Sequence, residues 1–259
     1  MSRLKRKNYG GGHAYYLDGV KVDGVTTLIG DGMRKKALEN WAGNETAKYA
    51  VDRWDELAAL PPTDRFERLK KARFEVRDEA ARRGTEIHHY AEKLLHGEEV
   101  DVPDEIRGHV EQAVRFLDEW QVAPVITETS VWNERGRYAG TLDLVFTTPR
   151  LPGQVILADW KTSRSGIFGE TALQLSAYEN ADYYIGTDGE DRPMTELGIT
   201  DTWGIWIKSD DYVLYPMERG PEVFRTFQFV ATVARRTEGR PSPLMALRGE
   251  PIREPAVAS

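Results

Sequence analysis

The stretch that decides the fold is residues 138–178, YAGTLDLVFTTPRLPGQVILADWKTSRSGIFGETALQLSAY. Two runs within it, residues 142–147 and 155–160, are short and apolar, and two prolines and a glycine separate them. This pattern predicts two adjacent strands joined by a turn. Residues 168–184 then carry the spacing of a helix. The stretch therefore predicts two neighbouring strands followed by a helix.

Two acidic side chains fall on the predicted strands. Asp143 lies on the first strand, Asp159 lies near the end of the second, and Lys161 follows two positions later. Side chains two residues apart in a strand share a face, so Asp159 and Lys161 are expected to point the same way and Trp160 to the opposite side. The sequence therefore predicts that two carboxylates and one ammonium group converge.

Such a convergence suits a hard divalent cation. Carboxylate and carbonyl oxygens are the ligands that Mg²⁺ prefers, and the ion keeps water molecules on which hydrolysis can take place. Lys161 could orient or activate that water. On the predicted helix, Gln174 and Tyr178 are four residues apart and so share a face. These residues together predict a metal-dependent site that cleaves phosphodiester bonds.

The order of these residues resembles the PD-(D/E)xK nuclease superfamily, and the Gln-x-x-x-Tyr element is typical of its RecB-like branch. That branch includes phage exonucleases and nuclease domains of recombination and CRISPR-adaptation proteins. The resemblance implies an α/β fold with a restriction-endonuclease-like core, a mixed central β-sheet flanked by helices and an N-terminal helical region. It implies catalytic roles for Asp143, Asp159, Lys161, Gln174 and Tyr178. The last two would also contact the DNA strand near the scissile phosphate.

A second motif extends the resemblance toward the N-terminus. Residues 83–88, RGTEIH, match a Gly-Thr-x-x-His element that RecB-like nucleases carry on a helix, where the histidine reaches the metal. The resemblance therefore implies that one or two ions are held by His88, Asp143, Asp159 and the backbone carbonyl of Trp160. Imidazole is a common ligand of Mn²⁺ and a mediocre one of Mg²⁺, so Mg²⁺ or Mn²⁺ is the expected cofactor.

Two further acids are candidates for supporting roles. Glu92 lies four residues after His88 and shares its helix face, so it could orient the metal ligands. Glu128 alternates with apolar neighbours on the strand predicted over residues 122–132. In the resembled family an acid on this strand often lies near the site, but an outward-facing side chain is an equally good interpretation of Glu128.

Each motif taken singly also has an ordinary structural explanation. Asp159 and Lys161 could form a solvent-facing salt bridge, and His88 could be a packed or surface histidine. Gln174 and Tyr178 could belong to an ordinary amphipathic helix. The combined order and spacing of the motifs favour the site.

The composition limits the class of protein. The chain has 259 residues, which favours one large domain. It has no cysteine, which excludes disulfides, thiolate zinc sites and a cysteine-ligated iron-sulfur cluster, and so separates it from cluster-bearing RecB-like nucleases. No apolar run could span a bilayer and no signal-peptide pattern is present, so a cytoplasmic protein without a membrane partner is expected.

The formal net charge of −7 argues against nucleic-acid binding, because a footprint on phosphates is normally basic. Metal sites are built from acids, however, and binding depends on where the cations lie. Each local basic cluster could be a solvated helix face. The clusters are residues 34–36, Arg68 with Lys70, Lys71 and Arg73, Arg82 with Arg83, and Arg235 with Arg236.

The chain divides by composition into three parts. Residues 1–12, basic and then glycine-rich, are predicted to form a flexible arm. Residues 13–240 are predicted to form a single nuclease domain, in which residues 13–120 give a hairpin and helical part and residues 121–240 give the catalytic sheet and closing helices. Residues 241–259, rich in Pro, Arg and Glu, are predicted to be a loose tail.

Secondary structure outside the central stretch follows the same reasoning. A hairpin is predicted at Asp18-Gly19, followed by a turn at Asp23-Gly24. The predicted helices cover residues 36–60, residues 63–82 with an interruption at Gly84-Thr85, residues 104–120 and residues 221–238. Residues 199–208 and 211–217 are predicted to add antiparallel strands to the sheet edge.

The resemblance implies a metal-dependent exonuclease that acts on single- or double-stranded DNA ends in recombination, repair or degradation. A recombination protein or a second copy of the chain is an expected partner. Three alternatives stay open: a structure-specific endonuclease of the same superfamily, a non-catalytic nucleic-acid-binding module that keeps the fold, and a small-molecule hydrolase. The presence of both the acids and the lysine argues against the non-catalytic module.

Overall fold

The structure, a computed structural model, describes residues 1–10, 12–95 and 100–237. In chain order its strands are β1 (Leu4–Tyr9), β2 (Gly12–Leu17), β3 (Val20–Gly24), β4 (Ala123–Asn133), β5 (Tyr138–Thr147), β6 (Ile156–Lys161), β7 (Tyr183–Ile185), β8 (Asp191–Pro193), β9 (Asp201–Ile207) and β10 (Tyr212–Pro216). Its α-helices are α1 (Val25–Gly32), α2 (Lys36–Asp52), α3 (Trp54–Ala59), α4 (Pro62–Leu95), α5 (Asp104–Trp120), α6 (Glu170–Glu179) and α7 (Pro221–Thr237).

The two strands predicted at the centre of the chain are neighbours in the sheet. Strands β5 and β6 pair antiparallel, with Leu144 opposite Ala158. Strand β4 follows the other edge of β5 along most of its length. These three strands belong to one curled mixed sheet flanked by helices, which confirms the predicted mixed α/β architecture at this level.

One edge of β5 is shared by two strands. Strand β3 pairs with the start of β5, opposite Tyr138 and Ala139, and β6 pairs with its end, from Leu144 to Phe146. Residues 140–143 lie between these pairings. Beyond Ala158, β6 leaves β5 and stays paired with β9. The sheet therefore forks next to the Gly-Thr-Leu-Asp motif.

The prediction that residues 199–208 form an antiparallel strand is wrong in direction. Strand β9 runs parallel to β6, and only β10 pairs antiparallel, with β9. Parallel neighbours need a long crossover connection, which the helix α6 and the segment after it supply. That segment also differs from the prediction, because the helix ends at Glu179 and residues 183–185 form the short strand β7.

The predicted flexible arm is wrong for most of its length. Strand β1 pairs antiparallel with β2 along six residue pairs, and Leu4 packs against Leu17 and Trp132 with only 3% of its surface exposed. The arm was mispredicted because strand pairing uses the backbone, which the basic side chains do not reveal, and because a single buried leucine anchors it. The hairpin at Asp18-Gly19 is confirmed, with both residues at positive φ.

Two helical predictions also need correction. The predicted helix over residues 36–60 breaks at Arg53 into α2 and α3, and α4 runs without interruption through Gly84. A Cβ on Gly84 would lie 3.2 Å from the Thr162 hydroxyl, so the glycine serves the close approach of α4 to the end of β6. The turn predicted at Asp23-Gly24 is wrong, because both residues end β3 and pair with β5, and residues 25–32 form α1. Helix α5 confirms its predicted bounds.

The helices cover the sheet on two sides. One core packs α1, α6 and α7 against β4, β5 and β6, and a second packs α5 against the other side of β5 and β6 and against β9. The part of the chain that the structure describes contains no helix that is both long and apolar enough to cross a membrane. The predicted tail, residues 241–259, lies outside the described residues.

The anchoring of β1 gives a direct test. Leu4→Ala should lower the free energy of unfolding by about 2–5 kcal/mol, because it removes a buried side chain and leaves a cavity. Lys5→Ala is the matched control, since Lys5 is exposed on the same strand. Thermal melting measures both. If Leu4→Ala melts like the wild type, residues 4–9 are the loose arm after all.

Candidate functional site

The predicted site residues meet in one cavity of about 370 Å³. The strands and helices around the fork contribute its acidic and basic side chains. Those that line it are His88, Glu92, Glu128, Asp143, Asp159, Lys161, Gln174 and Tyr178. Of the predicted set, Trp160 alone points away: its indole packs edge-on against Phe116, on the opposite side of β6, as the alternation of the strand predicts.

Asp143 lies at the fork itself. It is the last residue of the interval in which β5 has no strand partner on this edge. The backbone N–H of Trp160 donates a hydrogen bond to Asp143 Oδ2 at 2.8 Å. The Asp143 carboxylate thus accepts the backbone hydrogen bond of Trp160 where β6 separates from β5. This bond links the Gly-Thr-Leu-Asp motif to the Asp159-Trp160-Lys161 motif. The Trp160 carbonyl as a metal ligand stays a prediction.

Asp159 is almost completely buried, with 1% of its surface exposed. Gln174 Nε2 donates a hydrogen bond to Asp159 Oδ1 at 2.6 Å, and the Lys161 ammonium forms an ion pair with Oδ2. Lys161 Nζ also donates to Gln174 Oε1 at 3.3 Å. Asp159, Lys161 and Gln174 therefore form a closed network, in which the amide holds both charged groups.

The charges in this network shift one another. Burial raises the pKa of the Asp159 carboxyl to about 6, although the Lys161 ammonium opposes the shift. Burial alone would lower the pKa of Lys161, but the Asp159 and Asp143 carboxylates outweigh it and the pKa of Lys161 is raised. The lysine therefore remains a cation pointing into the cavity.

A second cluster of donors lies beside this network. One ligand atom from each of His88, Glu128 and Asp143 falls within 4.8 Å of the others, and His88 Nδ1 lies 3.9 Å from Asp143 Oδ2. Of the three predicted metal-binding side chains, Asp159 is not in this cluster, because Lys161 and Gln174 hold it. Glu128 occupies the third position instead.

Glu128 reaches the cavity through an unusual backbone conformation. Its φ is +44°, which only a few per cent of non-glycine residues adopt. Thr127 pairs with Leu144, and Thr129 pairs with Leu142. Glu128 lies between them, opposite Asp143, and has no regular strand pair. The inward orientation therefore holds, and the outward-facing alternative for Glu128 is wrong.

The electrostatics of Glu128 show that the cavity is crowded with negative charge. Burial, with the carboxylates of Asp143 and Glu92, raises the pKa of Glu128 to about 8, and Arg6 opposes the shift only in part. A divalent cation would relieve this repulsion. One imidazole nitrogen and two carboxylates also suit Mn²⁺ or Mg²⁺. The residues present therefore fit such an ion, and Glu92 lies near enough to support it.

Tyr178 has a different role from the one predicted. Its ring is buried, with 2% of its surface exposed, so it cannot stack on a DNA strand. Gln174 Nε2 donates a hydrogen bond to its hydroxyl at 3.2 Å. A Cβ on Gly140 would lie 2.3 Å from the Tyr178 ring. The glycine of the Gly-Thr-Leu-Asp motif therefore makes room for the tyrosine that supports Gln174.

The sequence analysis missed one wall of the cavity. Arg6, His13 and Tyr15, from the β1–β2 hairpin, line it beside the predicted residues. Arg6 Nη2 lies 3.4 Å from His13 Nδ1, and Tyr15 shares a hydrogen bond of 2.8 Å with the Thr141 hydroxyl. Arg6 was missed because residues 1–12 were predicted to be mobile, and His13 and Tyr15 were missed because they were interpreted only as part of a hairpin. The Asp18-Gly19 turn joins β2 to β3, so it signals the strand that carries His13 and Tyr15 but not the strand that carries Arg6.

Comparisons with known proteins leave the family open. No protein-family model matches the chain, and no curated protein matches it. Among solved structures it is similar to SSO0001, with 16% identity over 66% of this chain and 73% of that one. The TM-score of 0.31 is too low to support any conclusion about fold or function.

The contact between Gly140 and Tyr178 can be tested. Gly140→Ala should destabilise the protein by about 1–3 kcal/mol, because the new methyl group overlaps the buried ring. Gly43→Ala is the opposite control: Gly43 lies within α2 with no atom near its Cβ position, so alanine should stabilise the helix. Thermal melting distinguishes the two. Equal melting of Gly140→Ala and wild type would disprove the contact.

The raised pKa of Glu128 predicts a pH dependence in the metal-free protein. The unfolded chain releases this proton near pH 4.5, whereas the folded protein holds it up to about pH 8. The stability that depends on this proton is fully present below pH 4.5 and is lost as the pH rises to about 8. Glu128→Gln, which has no charge to lose, should therefore melt several degrees above wild type at pH 8 in chelator, but not at pH 4.5.

The control for this measurement is Glu75→Gln, an exposed glutamate on α4. It should follow the wild type at both pH values. Added Mn²⁺ should reverse the order of Glu128→Gln and wild type, because the ion stabilises the protein that binds it better. If Glu128→Gln gives no relative gain at pH 8, Glu128 is not held in the crowded site described above.

Proposed function

We propose that this protein is a divalent-metal-dependent deoxyribonuclease of the RecB-like branch of the PD-(D/E)xK superfamily, with a restriction-endonuclease-like core, and that it acts as an exonuclease. One observation carries the proposal. A single cavity joins the donor cluster of His88, Glu128 and Asp143 to the network of Asp159, Lys161 and Gln174. These are the residues of the motifs that resemble this branch, together with the acid from β4.

The fold supports the proposal in its mixed sheet. The motif residues lie on two antiparallel strands, β5 and β6, and β9 runs parallel to β6 after the helix that carries Gln174. This arrangement agrees with the flanked, mixed central sheet that the resemblance implies. The predicted N-terminal helical region corresponds to the helices α1 to α5, of which α4 delivers His88.

The donor cluster has a clear task. His88, Glu128 and Asp143 would hold Mg²⁺ or Mn²⁺ through one nitrogen and carboxylate oxygens. Such an ion, when bound, lowers the pKa of a water and neutralises charge that develops on the phosphate. The hydrogen bond from the Trp160 N–H orients the Asp143 carboxylate, whose Oδ2 lies 3.9 Å from His88 Nδ1.

The network around Lys161 would orient the nucleophile. The ammonium group keeps its proton, so it acts by position and charge rather than as a general base. Asp159 and Gln174 hold it at the cavity wall, and it would stabilise the negative charge of the transition state. Tyr178 keeps Gln174 in place through its hydroxyl. The predicted catalytic role of Tyr178 thus becomes a supporting one.

The substrate and its partners follow from the resemblance. We expect a DNA end as substrate, and a recombination protein or a second copy of the chain as partner. The cavity is walled by the β1–β2 hairpin on one side and by α4 on the other. A walled cavity favours entry of a strand end over capture of an internal phosphate, and this favours an exonuclease.

Activity is tested with end-labelled linear DNA, single- and double-stranded, and with circular DNA of the same sequence. With Mn²⁺ or Mg²⁺ we expect linear DNA to be degraded and circular DNA to survive, and chelator to stop the reaction. Failure to cleave with any metal would refute the enzyme and leave the non-catalytic module. Rapid cleavage of circular DNA would replace the exonuclease by an endonuclease.

The role of Lys161 separates chemistry from binding. Lys161→Ala should reduce turnover by a factor on the order of 10² or more, because the ammonium acts mainly in the transition state. Affinity for DNA, measured with Ca²⁺ in place of Mg²⁺, should change little. Lys21→Ala, an exposed lysine on β3, is the control for the loss of one charge. If binding and turnover fall in equal proportion, Lys161 is a phosphate anchor instead.

A further inference from the structure

A groove of about 750 Å³ opens beside the catalytic cavity. Helices α2 and α4 form two of its walls, and the loop after β6 forms another. Thr85, His88 and Lys161 line both the groove and the cavity, so the two spaces meet at the site. Anything that lies in the groove therefore leads directly to the proposed metal and to Lys161.

Besides Lys161, three cations line the groove from three different elements. They are Lys48 on α2, Arg83 on α4 and Arg164 in the loop after β6. Within the part of the chain that the structure describes, none of the three forms an ion pair with a carboxylate. Because each comes from a different element, only the tertiary structure brings them together.

The absence of ion pairs is informative, since acids stand at the right spacing. Glu45 precedes Lys48 by three residues and Glu79 precedes Arg83 by four, which are the spacings at which helical ion pairs form. Both acids line the groove as well, yet neither pairs with its neighbour.

Neighbouring cations behave differently. Arg82, adjacent to Arg83 but outside the groove, pairs with Glu86 at 2.8 Å. Lys70 pairs with Glu67 on the same helix. Arg82 and Lys70 thus pair with acids of their own helix, whereas Arg83, like Lys71 and Arg73, forms no ion pair among the described residues. What distinguishes Arg83 from these exposed cations is its place in the groove.

The groove also holds an aromatic side chain. Trp41, on α2, lines it together with the three cations. A further hollow of about 630 Å³ continues past Trp41 and contains Phe168, of which 51% of the surface is exposed. Sites that bind single-stranded nucleic acid combine two features. Cations lie along the sugar-phosphate backbone, and aromatic rings stack on the bases. A base paired within a duplex offers no free face to such a ring.

From these observations we propose that the groove is a binding site for a single strand of DNA, held by Lys48, Arg83 and Arg164 at its phosphates and by Trp41 at a base. The proposal rests on the proposed nuclease function for the direction in which the strand runs, toward Lys161. It assigns the substrate class that the catalytic cavity alone leaves open. It also gives a chain of net charge −7 a local group of cations that can bind phosphates.

The cations are tested together in a variant that carries Lys48→Gln, Arg83→Gln and Arg164→Gln. A fluorescein-labelled 20-nucleotide oligothymidylate is the probe, and anisotropy in chelator measures its affinity at several salt concentrations. Loss of three phosphate contacts should weaken binding on the order of a hundredfold at 0.1 M salt. It should also reduce the slope of log K against log salt by about 2.

The matched control carries Lys5→Gln, Lys21→Gln and Lys71→Gln, which remove the same charge from exposed positions outside the groove. We expect this control to bind within a few-fold of wild type. Equal loss of affinity in the two triple variants would overturn the proposal, because net charge alone would then explain binding. Arg164→Gln alone, in an exposed loop, provides a single change of about fivefold should the triple variant fold poorly.

The aromatic contact has its own pair of variants. Trp41→Ala should weaken oligothymidylate binding about fivefold or more through the loss of one base stack. Trp54→Ala is the control, because Trp54 is 62% exposed on the adjacent helix and does not line the groove. Equal effects of the two changes would show that no base stacks on Trp41.

A duplex of the same length decides the substrate class. If the triple groove variant loses as much affinity for duplex as for the single strand, the groove is not specific for a single strand and the proposal fails. All binding is measured in chelator, so its outcome does not depend on cleavage. Groove-dependent binding without cleavage under any metal would refute the nuclease and leave the groove. Cleavage with binding unchanged in the groove variants would do the opposite.

Discussion

One edge of β5 is shared by two strands, and the rest of the site depends on the interval between them. Strand β3 takes the start of this edge and β6 takes its end, so residues 140–143 have no strand partner there. The Asp143 carboxylate accepts the hydrogen bond from Trp160 that a strand would otherwise receive. The open interval gives α6 access to the sheet, and the absent side chain of Gly140 makes room for the Tyr178 ring.

The buried charges next to this fork explain why the two motifs must occur together. A carboxylate as deeply buried as Asp159 is costly to the folded state unless a cation and hydrogen-bond donors accompany it. Lys161 supplies the cation and Gln174 supplies the donor. The donor cluster on the other side has no such compensation, because Glu128 faces the charges of Asp143, Glu92 and Asp159, which Arg6 opposes only in part. The protein thus satisfies one half of the cavity internally and leaves the other half suited to a divalent ion.

Charge distribution also accounts for the contrast between an acidic chain and a proposed partner that is itself acidic. Several cations on the helices pair with acids three or four residues away, as Arg82 does with Glu86. Lys48, Arg83 and Arg164, which form no ion pair among the described residues, line the groove that meets the site, next to Trp41. The net charge therefore says little about binding here, because it does not show where on the surface the cations lie.

The sequence by itself determined the local parts of this protein: the strands β5 and β6, the shared face of Asp159 and Lys161, the helix that carries Gln174, and the hairpin at Asp18-Gly19. Each follows from a short repeat or a turn signal. The tertiary structure alone decided what depends on distant contacts. It ordered the N-terminal strand through backbone pairing and one buried leucine, turned Glu128 inward through a positive φ, and buried the Tyr178 ring. It also gathered Lys48, Arg83 and Arg164 in one groove, since no spacing along the chain links residues from three separate elements.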